Sequence, residues 1–231
     1  MDLATEGNQN FRAYKAQYVT AVRKVLYCGG SEALSEAAFP AYAHENPWMN
    51  FLFWERLRRV MREIERTRHG RVLDFGCGGG AMLPFLARHA ARVTAADINL
   101  GPLHQINRTL PLPANVETYD LKQHTLDELP RGGFDLVLAL DVLEHVQELE
   151  PTVAALAARL ADGGKFIVSG PTENWAYRTG RRLAGREFTG HYHTTDIYQI
   201  KGAMAKVCRV STVATLFYPI ALFKIYSGTR K

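Results

Sequence analysis

From Arg71 onward, short apolar runs alternate with stretches of helical character, and this alternation constrains the fold more than any other feature. The runs fall at 72–75, 92–97, 116–120, 134–140 and 165–169. Helix-like segments at 81–89, 102–109 and 151–161 separate several of them, the last with Pro151 near its start and Gly163-Gly164 as its stop. Strands alternating with helices in this way build a mostly parallel sheet covered on both faces. Two further strand-like runs, 210–217 and 221–226, are separated by a turn containing Pro219. So short a connection joins antiparallel strands only. The expected fold is therefore α/β: a doubly wound, mostly parallel, seven-stranded Rossmann-like sheet ending in an antiparallel hairpin.

The residues before Arg71 have a different period. Phe11, Tyr14, Tyr18, Val22, Val25 and Leu26 fall on one face at helical spacing, and Cys28-Gly-Gly then breaks the pattern. Trp54, Leu57, Met61 and Ile64 mark a second amphipathic helix. The expected organisation is a helical cap over 1–68 and a ligand-binding domain over 69–231, with an insertion at about 171–196.

The sharpest local signal is the run Val72-Leu73-Asp74-Phe75-Gly76-Cys77-Gly78-Gly79-Gly80-Ala81, a strand that enters glycines ahead of a helix. Glycines let a ligand lie against bare main chain. Gly76, Gly78 and Ala81 also fit the dinucleotide fingerprint G-x-G-x-x-A, a weak signal when taken alone. Charge separates the readings. A pyrophosphate would sit on the helix N-terminus, but Asp74, two residues before the first glycine, repels it and attracts an ammonium group. Asp97 ends the second run and suits the hydroxyls of a ribose. Asp120 ends the third and Asp141 follows the fourth, where a carboxylate also serves as a helix cap. Four carboxylates near the carboxyl ends of neighbouring strands favour a cationic nucleoside without phosphate. Cys77 reads as a small filler.

VLDFGCGGG, the AADI and YDL strand ends, FDLVLALDVLEHV and LADGGKFIVSGPTEN resemble the class I S-adenosylmethionine-dependent methyltransferases. The LEHV element, and more loosely Asn46-Pro47-Trp48-Met49-Asn50, is similar to the ubiquinone-biosynthesis O-methyltransferases and their small-molecule relatives. The resemblance implies S-adenosylmethionine as cofactor and S-adenosylhomocysteine as product. It implies that Gly76, Cys77 and Gly78 line the methionine end, with Asp74 near its ammonium group. Asp97 would hold the ribose with Ile98 against adenine, and Asp120 and Leu121 would flank the adenine. Leu140 would lie over the methionine moiety. No Asn-Pro-Pro-Tyr-type element follows the fourth run, which lowers the expectation of nucleobase methylation.

Candidate acid–base residues are His145, just past the fourth run, and His191 and His193 in Gly190-His191-Tyr192-His193-Thr194-Thr195-Asp196. Each has a structural alternative: His145 as a helix-start residue, and Thr195 or Asp196 as the cap of a following helix. H-x-H lacks a convincing further ligand set, so no metal is expected. Candidate acceptor contacts are Tyr14, Tyr18, Trp175, Tyr177, Arg178 and Tyr192, although an aromatic stripe such as Tyr14/Tyr18 also reads as core.

Net charge is +5, unevenly spread. Residues 171–231 carry ten Lys/Arg against three Asp/Glu, so the remainder is slightly acidic. This asymmetry points to an acidic small-molecule acceptor, to peripheral contact with an anionic membrane, or simply to a solvated face. Nucleic acid is less expected, although an RNA or protein methyltransferase stays an alternative reading. A nicotinamide oxidoreductase or a non-catalytic nucleotide-binding module is a more distant one. The polar start MDLATEGNQN, the absence of a long uncharged apolar run and three scattered cysteines fit a cytoplasmic protein. Oligomeric state is not legible in the sequence.

Overall fold

The computed structural model describes residues 3–27, 42–175 and 195–231, with side chains from Phe11 onward. Helices α1 (Leu3–Tyr27) and α2 (Pro47–Ile64) precede the sheet. Then follow β1 (His69–Phe75), α3 (Leu83–His89), β2 (Ala90–Asp97), α4 (Gly101–Asn107), β3 (Val116–Asp120) and β4 (Phe134–Leu140). The chain continues through α5 (Leu149–Arg159), β5 (Leu160–Pro171), α6 (Ile197–Val207), β6 (Cys208–Leu216) and β7 (Phe223–Arg230).

All seven strands join one sheet in the order β3-β2-β1-β4-β5-β7-β6. The first five are parallel to one another, and β7 runs antiparallel between β5 and β6. The order reverses at β1, so the crevice outside the carboxyl ends of β1 and β4 is the topological switch point where such sheets take their ligands.

The two sheet faces bury different sets of side chains, as the period of two requires. Val72, Leu136, Leu138 and Ile167 pack with α1, α2 and α3 in one core, and Leu73, Val137, Phe166 and Val168 pack with α5 and α6 in the other. The two helices ahead of the sheet thus share a core with it. Trp54 is at their centre. Its ring meets Phe11, Tyr14, Tyr18 and Tyr42 edge-on at 5.6–6.0 Å, and its Nε1 donates to the Tyr42 carbonyl at 2.9 Å. Edge-to-face geometry of this kind adds to burial.

Local sequence explains the boundaries. Asn46 caps α2 by accepting the Trp48 amide at 2.9 Å, with Pro47 at the first helical position. Asp196 caps α6, and Gln199 returns the contact to the Asp196 amide. β5 begins earlier than the apolar run at 165–169 suggests. Leu160 already pairs with Phe134, and an irregularity then carries the strand past the expected helix stop, where Gly163 adopts φ +75.

Candidate active site

The β1–α3 loop is shaped by its glycines. Gly76 has φ +74, and a Cβ there would sit 2.4 Å from Cγ2 of Val142, so the loop and the segment after β4 approach too closely for any side chain. Gly78 has φ +51, and a Cβ there would enter open space. Bare backbone thus faces the crevice.

The two carboxylates behind this loop differ in environment. Asp97 is pinned: its Oδ2 accepts the Gly78 amide at 2.7 Å and its Oδ1 the Asn99 amide at 2.8 Å. Each oxygen retains acceptor capacity, and the side chain is half-buried. Asp74 is 4% exposed and has no hydrogen bond or ion pair to its carboxylate among the described residues. Burial first, and then the charge of Asp97, pushes its pKa up to about 7. The Tyr14 hydroxyl is also buried without a hydrogen-bond partner, and burial raises its pKa above the ordinary value. A buried carboxylate without an ion pair and, within reach of its charge, a buried hydroxyl without a hydrogen-bond partner suit a ligand with a donor-bearing cation. The ammonium and nucleoside of S-adenosylmethionine fit that donor set.

The other expected cofactor contacts lie at or just past the carboxyl ends of β1 to β4. Cys77 is buried, and burial raises its thiol pKa well above the ordinary range. Ile98, just past β2, projects into solvent at 65% exposure. Asp120 accepts the Lys122 amide and the Gln123 side chain, both at 2.9 Å, and Leu121 packs partly into the sheet core. Leu140 is half-buried against the opposite core.

Asp141 differs from the simple fourth carboxylate of the crevice. It has φ +54, and its Oδ2 meets Nη2 of Arg56 at 2.5 Å, with the arginine 1% exposed. The same guanidinium donates to the Tyr42 hydroxyl at 3.1 Å and lies over the rings of Phe53 and Phe223 at 5.0 and 4.9 Å. Its charge is thereby tied to α2. Glu144, in the short 3-10 turn Leu143–His145, is 2% exposed. Burial, and then the Asp141 charge, raises its pKa well above the usual carboxylate range. Arg56 and Glu144 carried no recognisable signal, because a charged residue on an amphipathic helix or turn reads as surface.

His145 is exposed at the crevice rim, and its amide donates to the Val142 carbonyl. Tyr14 and Tyr18 are buried in the Trp54 cluster, Tyr18 wholly so. Trp175 is 69% exposed just past β5. His191, Tyr192, His193, Tyr177 and Arg178 lie outside the described residues. Among the described residues no group of His, Cys, Asp and Glu could hold a metal, and no helix is long and apolar enough to cross a membrane.

This sheet order, with a carboxylate near the end of β1, glycines after it and a carboxylate ending β2, defines the Rossmann-like fold of the class I S-adenosylmethionine-dependent methyltransferases. The chain belongs to the methyltransferase-domain family, whose model matches residues 48–207. It is 38% identical over 118 residues to a ubiquinone biosynthesis O-methyltransferase of Xanthomonas euvesicatoria, covering 49% of this chain and 48% of that protein. To the enzyme of the same name from Marinobacter nauticus it is 36% identical over 104 residues, 43% of each chain. The matched segment thus spans about half the length of these curated relatives.

Among solved structures, the N-methyltransferase NodS of Bradyrhizobium japonicum, in complex with S-adenosylhomocysteine, aligns over 93% of this chain and 98% of its own. Its TM-score is 0.59 at 16% identity. Magnesium protoporphyrin IX methyltransferase from Synechocystis, also with S-adenosylhomocysteine bound, aligns over 77% and 83% with a TM-score of 0.54 at 20% identity. At these identities the likeness is one of fold.

Proposed function

We propose that this protein transfers the methyl group of S-adenosylmethionine to an oxygen of a small, amphipathic or acidic acceptor. The observation that carries this reading is the buried Asp74 carboxylate, held without a cation beside the open backbone of Gly78. Asp74 would take the cofactor's ammonium, with the Tyr14 hydroxyl as a second polar contact. Asp97, fixed by the Gly78 amide, would present its remaining lone pairs to the ribose hydroxyls, and Ile98 would be covered by the adenine. Cys77, Leu121 and Leu140 would supply apolar walls, and Asp120 an acceptor for the adenine amine. Bound there, the cofactor supplies a methyl already activated by the sulfonium charge. The protein's task is mainly alignment.

An acceptor hydroxyl must lose its proton as its oxygen takes the methyl. His145, exposed just past β4, would receive that proton. The acceptor's apolar part has a surface to match. Trp48 is 75% exposed and Tyr218 87%, and the rings of Trp48, Phe51 and Phe217 follow one another at 6.4 and 6.2 Å. These residues lie at the start of α2 and in the β6–β7 turn. The strand beyond that turn begins at Phe223, which pairs with Pro171 at the crevice end of β5. Aromatic side chains on that rim suit a lipophilic acceptor, or one presented from an anionic membrane. The relatives' name, ubiquinone biosynthesis O-methyltransferase, is consistent with such an acceptor.

The test is direct. The purified protein is melted with S-adenosylhomocysteine or NADH, then given methyl-labelled S-adenosylmethionine and a panel of phenolic acceptors. Stabilisation by the adenosyl ligand and label in a methyl ether are expected, the transfer falling in His145→Ala. Stabilisation by NADH alone, or label appearing only on nitrogen, would overturn the reading.

A further inference from the structure

A second concave surface lies on the other side of the sheet's width, at the amino ends of the parallel strands. It is a groove of about 750 Å³ between the carboxyl-terminal half of α2 and the sheet face of β7 and β6. Its lining includes Arg59 and Arg62 of α2, Arg66 just past that helix, and Lys165 and Arg209 of β5 and β6. Lys165 lies six residues before Pro171, so at about 3.3 Å per residue the groove is roughly 20 Å from the crevice end of β5.

The floor explains what the groove is suited to. Ile167 pairs with Ser227 and Ser227 with Ser211, so these three share a sheet face, and Arg209 pairs with Thr229 on the same face. Nearer the crevice, that face carries apolar Phe223 and Ile225 beneath the helices. Here it turns to hydroxyls. The lining is mixed, with Val210, Val213 and Ala214 beside the hydroxyls; Ser211 Oγ donates to the Ser227 carbonyl at 3.4 Å, and the Ser227 and Thr229 hydroxyls add donors.

The charges are also unequally matched. Glu63, the one carboxylate lining the groove, is shared between Lys165 at 2.9 Å and Arg66 at 2.7 Å. Arg59 is held by Glu55 at 2.8 Å. Arg62 and Arg209 have neither an ion pair nor a side-chain hydrogen bond among the described residues. Two unneutralised guanidiniums therefore line the same groove, within a lining of five cations and one anion.

We propose that this groove is a binding site for a compact phosphate-bearing ligand, gripped by Arg62 and Arg209 over the hydroxyls of Ser211, Ser227 and Thr229. Guanidinium forks match phosphate oxygens bidentately, and hydroxyls supply the remaining donors. The same phosphate chemistry is offered by a soluble phosphoester and by a phospholipid headgroup. Its separation from the crevice makes it an anchoring or regulatory site, not a part of the methyl-transfer site.

Calorimetric titration with inorganic pyrophosphate, alongside co-sedimentation with phosphatidylcholine vesicles containing phosphatidic acid, tests this. Saturable pyrophosphate binding that weakens by roughly tenfold or more in the Arg62→Ala/Arg209→Ala variant supports the site and a soluble ligand. Sedimentation with the acidic vesicles alone, lost in the same variant, supports it with a lipid source. An Arg62→Lys/Arg209→Lys variant keeps the charge but not the fork; undiminished binding by it would reduce the groove to a generally basic surface and overturn the proposal. No binding of either probe, binding unaffected by the alanine variant, or preference for an RNA oligonucleotide over pyrophosphate would overturn it as well. Unchanged melting temperatures in both variants exclude misfolding as the cause.

Discussion

Arg56 of α2 and Asp141 at the end of β4 meet at 2.5 Å, the arginine side chain 1% and the aspartate side chain 9% exposed. This contact ties the amino-terminal helices to the strand end where chemistry is expected. Because it is buried, the cost of removing one partner exceeds the value of the pair itself.

Arg56→Leu should therefore destabilise the fold by about 3–5 kcal/mol, since the Asp141 carboxylate is left in a buried setting without the guanidinium. Arg56→Lys should recover only part of this, as a lysine cannot also reach the Tyr42 hydroxyl in the same plane. Urea unfolding measures both. A loss under about 1 kcal/mol for Arg56→Leu, the range of exposed pairs, would show that the contact is solvated.

Asp74 gives a pH dependence with a defined sign. Its folded pKa is about 7 against a reference of 3.8, so between these values the folded protein holds a proton that the unfolded chain has released. The resulting stability is complete below pH 3.8 and is lost as pH rises through 7. Asp74→Asn should remove that decline and leave the ligand-free protein more stable than wild type at pH 8. An ammonium-bearing ligand favours the carboxylate, so S-adenosylhomocysteine should bind wild type more tightly as pH rises through 7 and release a proton below it. Calorimetry in two buffers of different ionisation heat reads that proton. Identical heats would remove Asp74 from the site.

Tyr14→Phe separates packing from binding. The hydroxyl it deletes is buried without a hydrogen-bond partner, so its loss should leave the ligand-free protein as stable or up to about 1 kcal/mol more so. S-adenosylhomocysteine should nevertheless bind more weakly. Destabilisation with unchanged affinity would make Tyr14 a member of the Trp54 cluster and nothing more.

Gly76→Ala places a methyl 2.5 Å from Cβ of Val142 on a backbone at φ +74. A cost of about 1–3 kcal/mol and loss of ligand-induced stabilisation are expected in thermal melts. Gly78→Ala, with open space around its Cβ, should keep more of the fold while still obstructing the ligand.

The strands were legible because their signal is periodic and local: the runs at 116–120 and 134–140 coincide with β3 and β4. The glycine loop was legible because Gly76 and Gly78 do require positive φ. What stayed hidden depends on long-range placement. Arg56 lies between Trp54 and Leu57 on a helix rich in arginine, and only the fold brings it under Phe223. Tyr14 and Tyr18 carried two readings; Trp54 draws both into the core, yet leaves one hydroxyl unsatisfied. Gly163-Gly164 looked like a helix stop, because a strand that starts with an irregularity has no period of its own.

The position of β7 between β5 and β6 also orders events during synthesis. β6 leaves the ribosome first, but its partner in the sheet is β7, which emerges afterwards. Until Phe223–Arg230 have been made, β5 has an open edge and the polar floor of the basic groove does not exist. The β6–β7 pairing is a local hairpin, so the sheet is completed when that hairpin docks its β7 edge on β5, the non-local step in which loop-closure entropy is lost.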